Sequence, residues 1–135
     1  AQALSGEADL VVANPPYTPP GRGRAPLESV RTARYGHLGE FLDAARRVAG
    51  RRARICFVYP AIEATTLLAE LRQRGLEPKR LRMVHGRAAD RARVVLVDSA
   101  PAKPGGLEIE PPFVETEASG ARSPALAALL RTPRA

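Results

Sequence analysis

Short unbroken apolar runs alternate along this chain with stretches of helical periodicity. Leu10-Val11-Val12-Ala13 is wholly apolar and rich in β-branched residues, and predicts a strand buried on both faces of a parallel sheet. From His37 to Ala49, residues Leu38, Phe41, Leu42, Ala45 and Val48 fall on one stripe, which predicts a helix closed by Gly50. Arg54 to Tyr59 reads as a second buried strand, ended by Pro60. Ala61 to Arg74 reads as a second amphipathic helix through Ile62, Leu67, Leu68 and Leu71, with Gly75 as its C′ residue. Strand, helix, strand, helix is the pattern of a doubly wound α/β sheet. Pro78 to His85 and Ala92 to Asp98 follow as two strands joined only by Gly86 to Arg91. With no helix between them they must be antiparallel. Leu107 to Val114 and a polar stretch lead to a short helix, with Ser123 as N-cap and Pro124 at N1, running to Leu130. The expected division is 1–115 for the sheet domain and 116–135 for a polar tail with a short helix. No internal repeat is visible.

The first strand ends abruptly at Asn14-Pro15-Pro16-Tyr17. Two consecutive prolines remove two backbone donors, fix two φ angles and push Asn14 out of the α region. The result is a rigid elbow at the carboxyl end of a strand, where open α/β sheets place their ligands. The Asn14 side-chain oxygen and the Pro15 carbonyl are acceptors that can hold an NH2 group so that its lone pair points outward. Tyr17 offers a face for a flat, extruded group. Such an amine needs no strong base, because no proton has to leave before attack on an electrophile. The structural alternative is a buried strand and a stiff turn, with Tyr17 packed on the core.

Composition narrows the setting. The chain has 135 residues, 44% of them hydrophobic, so it forms at most one domain and can build a core. No apolar run is long enough to span a membrane and no signal peptide is visible, so a cytoplasmic location is expected. Cys56 is the single cysteine, which excludes a disulfide framework and reads as a small buried core residue. His37 and His85 are far apart and have no cysteine beside them, so no metal site is expected. The formal charge is +7, almost all of it from arginine, which suits a polyanion such as RNA. Arg22, Arg24, Arg31 and Arg34 cluster after the elbow, placed either to grip phosphates or simply to solvate a loop. Gly21-Arg22-Gly23 opens no helix and reads as loop flexibility rather than a phosphate cradle.

The elbow resembles the [DN]-P-P-[YF] motif of S-adenosylmethionine-dependent amino-methyltransferases, whose substrates are adenine N6, guanine N2 or a protein glutamine. Nearly the whole chain resembles one branch, the bacterial tRNA (adenine-N6)-methyltransferases that modify a valine tRNA beside its anticodon. The matching stretches are Asn14 to Tyr17, Arg31 to Arg34, Leu71 to His85, Val94 to Asp98, Lys103 to Leu107 and Glu110 to Phe113. The chain departs from that branch at Tyr35-Gly36, where His-Glu is common, and at Ala49 to Arg52, where a Lys-Pro-Gly-Gly turn is common. The resemblance implies the C-terminal half of a Rossmann-like class I methyltransferase, whose glycine-rich cofactor half would lie upstream of Ala1. It implies that Asn14, Pro15 and Tyr17 bind the target adenine, with Pro16 shaping the elbow and Asn14 touching the S-adenosylmethionine site in part. tRNA is the expected partner, together with self-association through the open edge of Leu10 to Ala13. These residues alone are expected to be inactive. A release-factor glutamine methyltransferase and a non-catalytic RNA-binding fragment are the competing classes.

Overall fold

The computed structural model describes residues 8–15 and 37–131. Strand β1 (Ala8–Ala13) leads to helix α1 (His37–Val48) and strand β2 (Ala49–Pro60). A 3-10 turn (Ala61–Glu63) enters helix α2 (Ala64–Gln73), followed by β3 (Leu76–Arg87) and β4 (Ala92–Pro101). Short strands β5 (Glu108–Ile109) and β6 (Phe113–Thr116) precede helix α3 (Pro124–Leu130). The sheet order is β1-β2-β4-β3-β5, with β6 also on β3. β1 and β2 are parallel, and β4 is antiparallel to both β2 and β3. β5 and β6 lie parallel to β3. Among the described strands, β4 therefore runs against all the others.

The hairpin forms as its short connector requires, but its second strand does not extend the sheet outward. The α2 crossover sets β3 down two strand positions from β2, and β4 returns into the gap. It pairs with both neighbours over most of its length, Phe57 with Val97 on one side and Leu81 with Val97 on the other. This mixed α/β sheet, parallel strands closed by an antiparallel insertion, has the arrangement of a Rossmann-like half.

Both larger helices pack on one face of the sheet. Leu38, Leu42 and Ala45 of α1 and Leu67 and Leu71 of α2 are buried against Ile55, Phe57, Tyr59, Leu81, Val95 and Val97. Ser99 shares that buried face and satisfies its hydroxyl by donating to the Ile55 carbonyl at 2.9 Å. Gly75 follows α2 with φ 72°, the left-handed C′ position for which glycine is suited.

Four sequence expectations are corrected. Leu10 and Val12 are 57% and 70% exposed, so β1 is buried on one face only. Gly50 does not close α1, because pairing of Ala8 with Ala49 draws the chain into β2 directly after Val48. Residues 49–52 are thus the start of a strand rather than a turn. Ile62 is 74% exposed: the 3-10 turn after Pro60 takes it off the stripe that a continuous helix would have made. Cys56 is only half-buried and belongs to the uncovered face.

Past β4, the chain is clamped back onto β3. The buried Glu77 carboxylate accepts from the Arg72 guanidinium at 3.0 Å and from the Gly105 N–H at 2.8 Å. Lys79 Nζ donates to the Lys103 and Gly105 carbonyls at 2.7 and 2.6 Å. Gly105 and Gly106 both take positive φ, which lets the turn approach these groups. The tail is anchored at Ser123, whose hydroxyl accepts from the Leu126 N–H at 3.1 Å and donates to the Val114 carbonyl.

Candidate functional site

Since β1, β2 and β3 run the same way, their carboxyl ends share one end of the sheet. Asn14 and Pro15 follow β1 there. Asn14 is exposed and Pro15 is buried, so the proline fixes the backbone while the amide faces outward. Together with Val58, Tyr59, Pro60, Arg93 and Val94 they line an open cleft of about 590 Å³. β1 ends here because Pro15 has no N–H to offer the ladder, whereas β2 runs on to Pro60 and pairs it with Val94. The β3–β4 hairpin projects at the same end, carrying Arg87 and Arg91 at its exposed tip. Arg93, at the start of β4, donates to Glu115 of β6 at 2.6 Å. Sequence periodicity gave no reason to single out Arg93. Only the insertion of β4 beside β2 brings it to the Asn14 cleft.

A second depression, about 250 Å³, lies on the uncovered face among Arg54, Cys56, Val58, Arg80, Arg82, Leu96, Asp98 and Glu110. Arg54 Nε donates to Asp98 at 3.0 Å, and Cys56 Sγ lies 3.5 Å from the same carboxylate. Burial pushes the Cys56 thiol above its ordinary pKa, and the facing Asp98 charge adds to that shift. A thiol so placed is a poor nucleophile. Glu110 closes the depression by pairing with Arg80 at 3.2 Å and Arg82 at 3.9 Å.

Of the sequence-predicted site residues, Asn14 and Pro15 stand together at the cleft. Pro16, Tyr17, Arg22, Arg24, Arg31 and Arg34 lie outside the described residues, as does Gly21 to Gly23. Among the described residues, no cluster of His, Cys, Asp and Glu is arranged to hold a metal ion, and no helix is long and apolar enough to cross a membrane.

No family model matches the chain, and no curated protein matches it. Among solved structures it is similar to a predicted O-methyltransferase, protein Atu636 from Agrobacterium tumefaciens, with a TM-score of 0.71 and 16% identity. The likeness covers 94% of this chain and 52% of that one, so the chain spans about half the length of the structure it matches. A likeness at that identity shows the fold.

Proposed function

We propose that this chain is part of an S-adenosylmethionine-dependent methyltransferase acting on the N6 amine of adenine in tRNA. The observation that carries the reading is the placement of Asn14-Pro15, exposed amide and buried proline, in an open cleft at the carboxyl end of β1. The described residues fit one wall of such a site. They supply amine acceptors, and no glycine-rich turn opening a helix is among them. When bound, S-adenosylmethionine supplies an electrophilic methyl group. The chain's own part is to hold the amine: Asn14 Oδ1 and the Pro15 carbonyl accept its two N–H bonds, which leaves the nitrogen lone pair directed away from both. Tyr17 would stack the base. The amine stays neutral until it has been alkylated, so its proton can pass to water afterwards and no buried base is needed.

The decisive assay is transfer of labelled methyl from S-adenosylmethionine to tRNA by the gene product that carries this chain, followed by nucleoside analysis. N6-methyladenosine is the expected product. Label on a release-factor glutamine, with none on RNA, would replace this reading with the glutamine one.

A further inference from the structure

We infer that the β3–β4 hairpin is an RNA-gripping arm, with Arg87, Arg91 and Arg93 holding backbone phosphates beside the Asn14 cleft; the inference rests on the proposed action on RNA. Topology supplies the first argument. β4 is two strands from β1, about 10 Å at ordinary strand spacing. The hairpin tip projects at the same sheet end as Asn14. A single RNA strand with one base turned into the cleft would run past this tip.

Charge supplies the second. Over the open face and around α2, arginines are neutralised by carboxylates, Arg54 by Asp98, Arg72 by Glu77, Arg74 by Asp43, and Arg80 and Arg82 by Glu110, whereas Arg46 and Arg47 of α1 have no ion pair among the described residues and lie away from the Asn14 cleft. Arg87 and Arg91 have no ion pair among the described residues and are exposed. Arg93 keeps a largely exposed side chain, 62%, while Glu115 holds it in place. A guanidinium so held can still present its free N–H groups to a phosphate.

Rigidity supplies the third. The Asp90 N–H donates to the Arg87 carbonyl at 3.1 Å, and His85 Nδ1–H donates to the Asp90 carbonyl at 2.8 Å. The tip is thus fixed before a ligand arrives, which lowers the ordering cost of binding. The other unpaired arginines of the sheet, Arg51 and Arg52, stand at the opposite end of β2. They are about 20 Å from the Asn14 level by strand rise.

That opposite pair is the control. Binding of fluorescently labelled tRNA to the full chain is measured by anisotropy at several salt concentrations. The proteins compared are wild type, the Arg87→Ala/Arg91→Ala double variant and the Arg51→Ala/Arg52→Ala double variant, all with matched melting temperatures. Each double variant removes the same charge. The hairpin variant is expected to bind about tenfold more weakly and to lose about two from the slope of log K against log salt, while the control changes by less than about threefold. Arg87→Lys/Arg91→Lys should retain most of the affinity. Equal losses in both double variants would show diffuse attraction and overturn the arm, as would an unchanged hairpin variant or a wild-type chain that ignores tRNA at low salt. Methylation of tRNA by a gene product whose hairpin variant keeps full RNA affinity would sink the hairpin inference alone. Methylation of protein glutamine instead would sink the reading it rests on.

Discussion

At the scale of single residues, Asn14 owes its proposed role to position. It is the first residue past a strand, exposed, with a buried proline behind it. Under the proposed function, Asn14→Ala in the gene product that carries this chain should lower kcat for methyl transfer by about a hundredfold, the loss of about 3 kcal/mol from one oriented acceptor in a desolvated site. A rate within a few-fold of wild type would remove Asn14 from the site. Tyr17→Phe should be mild and Tyr17→Ala severe, because stacking uses the ring. Glu77 offers a test that needs no substrate. The Arg72 guanidinium and then the Gly105 N–H hold its carboxyl down to about 2 from an ordinary 4.5. The folded state thus binds fewer protons than the unfolded chain across that interval. Stability from this group is present above the ordinary carboxylate range and is lost as the pH falls toward 2. Urea midpoints measured from pH 5 down to pH 2 should fall less steeply for Glu77→Gln than for wild type, and Glu77→Gln should start lower. Parallel curves would show that the clamp contributes nothing.

At the scale of elements, what could be read locally was read. The stripe of Leu38, Leu42 and Ala45, the run from Arg54 to Tyr59, Gly75 at C′ and the Ser123-Pro124 start of α3 are all set by residues within a turn or two of each other. What could not be read depends on partners distant in sequence. Insertion of β4 between β2 and β3 turns on where the α2 crossover sets β3 down. Cys56 sits on the uncovered face because β2 alternates there, and the sequence does not mark which side the helices will take. Nothing local in the Lys103 to Leu107 stretch marks its partners, yet it is the counterpart of Glu77 and Lys79, more than twenty residues earlier in the chain. Asn14 was legible because its elbow is local, whereas Arg93 was not. Ser123 belongs to both classes, since it caps α3 and also reaches back to Val114. Ser123→Ala should therefore cost more than the ordinary cap loss of about 1 kcal/mol, because the Val114 carbonyl loses its donor as well. Denaturant unfolding would measure it, and a loss of no more than about 1 kcal/mol would show that the cap works alone.

At the scale of the whole molecule, the two edges of the sheet are built differently. The β5–β6 edge is broken by Pro111 and Pro112 and lined by Glu108, Glu110, Glu115 and Glu117, the devices by which sheets refuse further strands. The β1 edge has none of these between Asp9 and Asn14, and it presents Leu10 and Val12 to solvent beside the uncovered face. An apolar edge without a charge is a template for another strand, and a sheet with helices on one face leaves apolar area to be covered. The chain by itself is thus expected to self-associate through β1, giving light-scattering masses above 14.5 kDa that rise with concentration. Val12→Lys places a charge in the middle of that edge and should return the chain to a monomer with an unchanged melting transition, since Val12 packs on nothing in the core. A wild-type chain that stays monomeric at high concentration and unfolds cooperatively would show that the β1 edge is covered from within the chain. The exposure of Leu10 and Val12 would then have no bearing on assembly.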